Sequence, residues 1–311
     1  MAHAESQFKN LSRRLQEIML QHGTHLDQVP TVSLRLKLLR GLDWCLQLQG
    51  SSVHTRIATS IADMLAYTER IAGGVYSDEE IVGAIRRGQI ICHPLVPENI
   101  NGSSLDVTLG GDGFFVANTN KSPWYNPRDK QQVERFFRFM QPTRHDEFCA
   151  KHGLELMPSV PKEALVIPIY PGERILAHTH EFVGILPPGT TSMQSRSTWG
   201  RNGVAVCIDA GWGDPGYATR WTMEIHNFNQ EPLLLVVGER IAQIVFHKTG
   251  NVLRAYGGKS SKYHASDELQ EVIDAWHPGM MLPQAYRDQY RAPLPIEPIP
   301  DYSMLSLEAE Q

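Results

Sequence analysis

Short apolar runs separated by turn residues begin at Ile90 and continue to His247, and this pattern limits the fold more than any other feature of the sequence. Each run has the length and the β-branched or aromatic content of a strand. The predicted strands are residues 104–109, 114–117, 165–170, 174–178, 183–186, 204–208, 221–227, 233–237 and 242–247. Pro171 and Gly172 stand where a type II turn requires them, between two of these strands. Strands at this spacing predict an antiparallel all-β barrel or sandwich.

Helical periodicity precedes the strand region. Between Phe8 and Gly73 apolar residues recur at helical spacing, and we predict three helices there. The mixed charge of this stretch favours packing or oligomer contacts over a DNA-binding bundle. Ser77 and Glu80 have the spacing of a capping box for a short helix that ends just before Gly88. A domain boundary is therefore expected near residue 75.

Two further helical segments are predicted. Residues 131–148 interrupt the strand pattern with apolar residues at helical spacing, which indicates a helical insertion. A short helix to Trp276 is expected before a proline-rich tail, 293–300, that runs extended. We therefore divide the chain into a helical N-terminal extension (1–75), a β domain (76–266) and a C-terminal helix with its tail (267–311).

The charge balance argues against a general attraction to polyanions. The 311 residues include 29 Lys and Arg against 34 Asp and Glu, a formal charge of −5, so duplex nucleic acid is not an expected partner. No apolar run approaches the roughly 18 residues that span a bilayer, and residues 1–10 contain no apolar signal segment. The sequence thus predicts a cytoplasmic protein without a membrane partner. Its four cysteines are far apart and favour reduced, buried thiols.

The densest polar cluster in the β region is 195–201. It contains Arg196, Ser197, Thr198 and Arg201, and guanidinium forks and hydroxyls suit phosphate oxygens. The alternative interpretation is an ordinary solvated turn.

A glycine-rich turn follows at 209–217. Its Asp214 carboxylate can accept a hydrogen bond from a sugar hydroxyl, and the Tyr217 ring can stack on a sugar. A tight turn without a ligand is again the alternative.

Thr222 and Glu224 alternate with Met223 and Ile225 along a predicted strand, so the two pairs lie on opposite faces. If Met223 and Ile225 face the surrounding protein, Glu224 faces whatever the loops enclose. A carboxylate in such a place is costly unless it is paired or used, and its pKa rises towards the range useful for proton transfer. A glutamate on the solvent face is the alternative.

Together these segments follow the motif order of a known family. The matching segments are 77–81 with Gly88, 100–110, 170–177, 186–188, 196–198 with Arg201, 210–217, 222–224, Pro232 with 238–243, and 261–263. Over about residues 76–266 the chain resembles the dCTP deaminase family, which shares its fold with trimeric dUTPases. The resemblance implies a mainly β protein with a dUTPase-like antiparallel β-barrel or jelly-roll core and an added N-terminal helical region. Compact family members lack counterparts of the residues before 76 and after 266.

The resemblance implies hydrolytic deamination of dCTP to dUTP and ammonia without zinc. Zinc deaminases need H-x-E with a downstream P-C-x-x-C, and residues 3–5 supply only the first half. His178 and His180 share a strand face, but without an evident third ligand they favour ordinary histidines over a metal site. No metal ligand is therefore expected among the side chains, and Mg²⁺ is expected on the triphosphate.

Family positions imply roles for four residues. Glu224 matches the glutamate that moves protons between water, N3 of cytosine and the departing amine. Ser197 and the backbone carbonyl of Ala210 match the groups that hold the water. Arg201 matches the cation that orients this network and stabilises developing charge.

Substrate contacts are implied in the same way. The expected nucleotide contacts are Arg196, Ser197, Thr198, Arg201, Asp214, Tyr217, Thr222, Met223, Glu224, Gln243, Tyr256, Lys262 and Tyr263. The expected partners are dCTP and dUTP, with dTTP as a candidate feedback ligand. Family sites lie between subunits, so a homotrimer is predicted.

Three alternatives remain open. A bifunctional enzyme would continue from dCTP through dUTP to dUMP and pyrophosphate, and a plain dUTPase would hydrolyse dUTP alone. A catalytically silent nucleotide sensor or scaffold would bind nucleotide through the β domain and a partner through the N-terminal helices. Glu224 discriminates in part, because dUTPases lack an acid at that position.

Overall fold

A computed structural model describes residues 74–118, 124–208, 210–257, 261–263, 266 and 268–293. The chain divides into two compact units, Met1–Gly74 and Val75–Gln311. The three predicted N-terminal helices and the proline-rich tail beyond residue 293 lie outside the described residues.

Strands dominate the second unit. They are β1 (Gly74–Val75), β2 (Ile90–His93), β3 (Ile100–Asn101), β4 (Ser104–Thr108), β5 (Phe114–Ala117), β6 (Phe137–Met140), β7 (Thr143–Arg144), β8 (Leu165–Ile169), β9 (Arg174–Ile185), β10 (Gly189–Ser195), β11 (Val204–Ala205), β12 (Trp212–Gly213), β13 (Ala218–Asn227), β14 (Leu233–Val236) and β15 (Arg240–Lys248). The α-helices are α1 (Asp78–Arg86), α2 (Lys130–Phe136), α3 (His145–His152), α4 (Ser197–Arg201) and α5 (Leu269–Ala275). Short 3₁₀ turns occupy Pro97–Asn99, Pro278–Met281 and Ala285–Arg287.

Three antiparallel sheets build the core. One has the order β12-β10-β15-β4-β3, the second β11-β13-β9-β5-β6 with β2 also on β9, and the third β14-β8-β7. Their inward side chains form a single large apolar cluster that includes Leu105, Ile175, Met223 and Phe246. The predicted mainly β, antiparallel fold class is confirmed.

The predicted capping box and the predicted type II turn are confirmed as well. The Ser77 side chain accepts a hydrogen bond from the Glu80 backbone, and the Glu80 carboxylate accepts one from the Ser77 N–H, which completes the predicted capping box of α1. Glu173 N donates to Tyr170 O at 2.9 Å, and Gly172 has a φ of 70°, as a type II turn requires.

The prediction of two strands at 174–178 and 183–186 is wrong, because β9 runs without a break from Arg174 to Ile185. Between the two predicted strands, Thr179 and Glu181 are buried, and both have hydrogen-bond partners. Thr179 Oγ1 donates to Glu181 O and accepts from Trp221 N, and the Glu181 carboxylate accepts from the N–H and hydroxyl of Thr108. Since a buried polar group is costly only when it lacks a partner, the strand can continue.

The predicted helical insertion at 131–148 is only partly correct. It begins and ends with the helices α2 and α3, but β6 lies between them. There Phe139 pairs with Phe115 of β5, so strand pairing overrides the helical spacing of the apolar residues.

The strand β10 was not predicted, because its sequence is rich in threonine and serine. Thr190 and Thr191 are buried, and both hydroxyls donate to the carbonyl of Gly213. No helix in the part of the chain that the structure describes has the length and apolar composition needed to cross a membrane.

Candidate active site

A cleft of about 830 Å³ opens over the β13 and β9 face of the second sheet. It is lined by Phe137, Arg174, Leu176, Ala210, Trp212, Asp214, Pro215, Tyr217, Trp221, Thr222, Glu224, Arg254, Ala255, Tyr256, Ser261, Lys262, Tyr263, Met281 and Pro283. Three walls can be distinguished: the sheet, the turn before β13, and the chain after β15. The lining combines two carboxylates, three cations and several aromatic rings, a composition suited to a polar ligand with a flat ring.

The alternation in β13 directs Glu224 into this cleft. Met223 and Ile225 are fully buried in the core, whereas Thr222 and Glu224 are half-buried on the cleft face. The face predicted from the sequence is therefore the one observed.

The surroundings of Glu224 favour its protonated form. Burial raises the pKa of this carboxyl above its ordinary value, while its own backbone N–H, the charge of Arg174 and a hydrogen bond from Cys207 act in the opposite direction. In the register of β9 and β13, Leu176 lies opposite Glu224 and Arg174 lies opposite His226. Arg174 is thus the diagonal neighbour of Glu224, within reach of a long side chain. A carboxyl whose pKa is raised in this way holds its proton more readily than an ordinary glutamate, as a group that accepts and returns protons must.

The turn before β13 is tightly fixed. Tyr217 N donates to Asp214 O at 2.9 Å, and Gly216 N donates to Ile185 O at 2.8 Å. Gly216 has a φ of 94°, and a Cβ there would lie 2.9 Å from the carbonyl oxygen of Tyr256. Both the backbone conformation and the close approach therefore require glycine at this position.

Aromatic rings join this turn to the chain after β15. The Tyr217 ring meets those of Trp221 and Tyr256 edge to face, with centroids 5.3 and 5.2 Å apart. Tyr256 N donates to Pro215 O at 2.6 Å, and the Tyr256 hydroxyl accepts from Tyr263 N at 3.1 Å. Burial raises the pKa of Tyr217, so its hydroxyl stays protonated and can act as a donor.

The predicted site residues fall into two groups. Ala210, Asp214, Tyr217, Thr222, Glu224, Tyr256, Lys262 and Tyr263 line the cleft. Met223 is in the core directly behind it.

The remaining predicted residues lie around α4 and on the first sheet. Arg196, Ser197, Thr198 and Arg201 belong to α4 or precede it, and they are not among the described residues that line the cleft. Gln243 lies half-buried on β15. Within the described part of one chain, these five residues therefore do not line the cleft that contains Glu224.

Asp106 organises the region around α4. This nearly buried carboxylate pairs with Arg196 at 3.2 Å and with Arg240 at 3.1 Å. Trp199 Nε1 donates to the carbonyl of Arg240 at 3.0 Å. The start of α4 is thus fastened to β4 and β15, and its hydroxyls and the Arg201 side chain remain exposed.

Several cleft residues were missed from the sequence. They are Phe137, Arg174, Leu176, Trp212, Pro215, Trp221, Arg254, Ala255, Ser261, Met281 and Pro283. Arg174 and Leu176 could have been found from the pairing of β9 with β13, since they lie on the same face of the sheet as Glu224 and next to it. Met281 and Pro283 arrive through long-range packing of the C-terminal segment, for which the sequence contains no local signal.

His178 and His180 do not share one environment. His178 is fully buried, its Nδ1 lies 2.9 Å from Thr179 O, and burial lowers its pKa to about 4, whereas His180 is exposed. Among the described residues, no three ligand-type side chains come together as a metal site.

Residues 75–249 match the model of the dCTP deaminase-like family. A protein of Methanopyrus kandleri named "dCTP deaminase, dUMP-forming" is 34% identical over 201 residues, which is 62% of this chain and 92% of that protein. A "dCTP deaminase" of Halorubrum lacusprofundi is 26% identical over 200 residues, 63% of this chain and 89% of its own length. The solved deoxycytidine triphosphate deaminase of Agrobacterium tumefaciens aligns with a TM-score of 0.40 and 17% identity, over 57% of this chain and 48% of that one. By the match of more than half its length to the family model, and by its 34% identity to the Methanopyrus protein, the chain belongs to the dCTP deaminase-like family.

Proposed function

We propose that this chain hydrolyses the exocyclic amine of dCTP, with Glu224 as the group that moves protons. The observation that carries the proposal is the half-buried Glu224 carboxyl, which lines a cleft beside Asp214 and Tyr217 and has a raised pKa. A shielded carboxyl with a raised pKa suits general acid–base chemistry. The family match and the names of the relatives support the substrate class.

In the proposed reaction a water molecule attacks C4 of cytosine. Glu224 takes a proton from this water as the C4–O bond forms and passes it to N3. It then takes the proton of the new C4 hydroxyl and delivers it to the amine, which leaves as ammonia when the C4–N bond breaks and C4=O forms, so dCTP and water give dUTP and ammonia. The protein needs no zinc for this sequence, because the carboxylate makes the water nucleophilic. Ser197 and the Ala210 carbonyl hold the water, and Arg201 stabilises the developing charge.

We propose a homotrimer as the complete enzyme. Ser197 and Arg201 are exposed on α4, outside the described lining of their own cleft, yet the proposed chemistry needs them beside Glu224. A neighbouring copy can supply them if α4 of one subunit covers the cleft of the next. A cyclic assembly repeats this contact at every interface.

In the proposed complex, the residues around α4 and the cleft-lining residues contact different parts of the nucleotide. Arg196, Ser197 and Thr198 meet the phosphates, Asp214 the deoxyribose 3′-hydroxyl and Tyr217 the sugar. The backbone groups of Thr222 and Met223 read the edge of the base. Tyr256, Lys262 and Tyr263 close the cleft, and Gln243 completes the set. The substrate is the Mg²⁺ complex of dCTP, because a divalent ion offsets the phosphate charge that a few cationic side chains leave.

A second candidate is the bifunctional reaction, in which dUTP is hydrolysed further to dUMP and pyrophosphate. It is favoured by the name of the Methanopyrus kandleri relative, which is called dUMP-forming, and by the same name of relatives from Methanobrevibacter smithii and Methanothermobacter thermautotrophicus. Both candidates share the deamination at C4 and differ only in the final product.

Separate incubations of the purified protein with dCTP and with dUTP, each with Mg²⁺ and followed by chromatographic separation of the products, test the proposal. Accumulating dUTP supports deamination alone, and dUMP with pyrophosphate supports the bifunctional reaction. Turnover of dUTP without turnover of dCTP would leave a dUTPase. Tight nucleotide binding without any product would instead indicate a sensor or scaffold.

A further inference from the structure

The cleft segment Ser261–Lys262–Tyr263 is held by residues of the C-terminal segment, by which we mean residues 268–288. These residues lie beyond the part of the chain that matches the family model. We propose that Arg287 is a positioning residue, which holds Lys262 and Tyr263 in place for nucleotide binding. The inference rests on the proposed function and adds to it a group outside the deaminase domain.

Arg287 fixes the backbone of the cleft segment. Its Nη1 donates to the carbonyl of Lys262 at 2.6 Å, and its Nη2 lies 3.4 Å from the carbonyl of Ser261. Nη1 also donates to Gln284 Oε1 at 2.9 Å, and Gln284 N donates to the Tyr263 hydroxyl at 3.2 Å. One guanidinium thus connects directly or through Gln284 to all three residues that line the cleft here. The planar fork of arginine suits such a multiple contact, which lysine cannot reproduce.

The C-terminal segment is also anchored at points other than residues 261–263. Trp276 packs on His178 with centroids 4.6 Å apart, and the Arg220 guanidinium lies 4.6 Å from the Trp276 ring. Met281 is buried in a second apolar cluster, against which Tyr286 also packs. Arg287 therefore projects from a chain that is fixed at several points, as a positioning residue must be.

Asp288 makes a different kind of contact. Its carboxylate pairs with Lys262 Nζ at 2.6 Å, but the two side chains are 47% and 31% exposed. Ion pairs with this much exposure contribute little to stability. A nucleotide phosphate can replace Asp288 at Lys262 at small cost, whereas the Arg287 contacts to backbone carbonyls stay in place when nucleotide binds. Arg287 thus determines the position of the cleft segment, and Asp288 neutralises Lys262 while the cleft is empty.

The first test compares the full-length protein with its Arg287→Gln variant by hydrogen–deuterium exchange without nucleotide. We expect faster exchange in peptides covering 256–263 and an unchanged rate in the strands β9 and β13. Arg291→Gln, which removes an exposed arginine four residues farther along, serves as the matched control and should leave all rates unchanged. Equal exchange in Arg287→Gln and wild type would overturn the inference, whether or not the protein deaminates dCTP.

The second test measures dCTP turnover and binding in the presence of Mg²⁺. For Arg287→Gln we expect the KM and the Kd to rise about fivefold or more, with kcat within about twofold of wild type. The reason is that Lys262 and Tyr263 would be less well positioned to bind the nucleotide, whereas the groups that act at C4 are unchanged. Arg287→Lys should fall between that variant and wild type. Asp288→Asn should leave the Kd unchanged or lower it. A rise in Asp288→Asn as large as in Arg287→Gln, or faster exchange in Arg287→Gln without a change in Kd, would contradict the assignment. If wild type neither binds nor converts dCTP, the proposed function fails, and the exchange experiment alone decides on Arg287.

Discussion

For the single residue Glu224, two features matter: the face of β13 on which it lies and the pKa of its carboxyl. The sequence displays the first but not the second. The place of Glu224 on the cleft face follows from the alternation with Met223 and Ile225, which the sequence displays. Its raised pKa follows from burial, which depends on walls contributed by distant parts of the chain. The same residue type on an open strand face would titrate as an ordinary glutamate. The pKa at this position is therefore set by enclosure as much as by residue identity.

The change Glu224→Gln tests the proton-transfer role. The amide keeps the shape and polarity of the side chain but cannot take up a proton from water. We expect kcat for dCTP to fall by about 10²- to 10⁴-fold, with the Kd for the Mg²⁺ complex of dCTP within about tenfold of wild type. Single-turnover kinetics and calorimetric titration measure the two quantities. Undiminished deamination would remove Glu224 from the mechanism.

Arg174 is expected to set the pH range in which Glu224 works. Its positive charge favours the ionised carboxylate and so opposes the effect of burial on the pKa of Glu224. Removal of that charge in Arg174→Gln should raise this pKa, and the acidic limb of the kcat/KM profile should move to higher pH. Arg138→Gln, an exposed arginine on β6 outside the cleft lining, is the control. A downward movement, or identical profiles of the two variants, would contradict this role.

At the scale of the element, the sequence predicted best where a strand has one face in the core and one outside. In β13 and β15 apolar and polar residues alternate, and both strands lie where the pattern indicated. The prediction failed in β9 and β10. There the Glu181 carboxylate accepts a hydrogen bond from Thr108 of β4, and the buried hydroxyls of Thr190 and Thr191 donate to the carbonyl of Gly213 in β12. Such compensation is non-local, so no window of sequence displays it.

The contact between the end of β4 and β9 offers a test at this scale. Gly110 N donates to His178 O at 2.8 Å, and a Cβ on Gly110 would lie 2.1 Å from the buried His178 ring. Gly110→Ala must therefore displace one of the two strands, and we expect a loss of about 1–3 kcal/mol in the free energy of unfolding. Gly250→Ala, where a Cβ meets nothing within 4 Å, should be close to neutral. Denaturant unfolding of both variants provides the comparison, and equal stability would show that the strand contact is more compliant than the packing suggests.

At the scale of the whole molecule, the predicted site residues form two groups because they belong to different surfaces of one chain. The cleft group was predicted from the Asp214 turn and from β13, and the structure brings these together. The α4 group was predicted from hydroxyls and guanidiniums, and the structure fastens it through Asp106 to the first sheet. The sequence predicts the members of both groups, and the proposed homotrimer would bring them together from two copies of the chain.

Complementation between inactive variants tests whether the site spans two subunits. Glu224→Gln lacks the proton carrier, and Arg201→Ala lacks the cation on α4. In trimers refolded from an equal mixture, half of the clefts retain Glu224 and half of their neighbours retain Arg201, so about a quarter of the wild-type activity should return. Each variant refolded alone is the control. A mixture that stays as inactive as its components would indicate that every site is built from one chain.

The C-terminal segment has a further consequence for how the limits of this protein are drawn. Met281 and Pro283 form part of the cleft wall although the family resemblance ends well before them. A chain trimmed to residues 75–249 would keep its sheets and lose one side of its pocket. Boundaries taken from similarity alone would therefore leave out cleft residues between Arg254 and Pro283 that the structure places around Glu224.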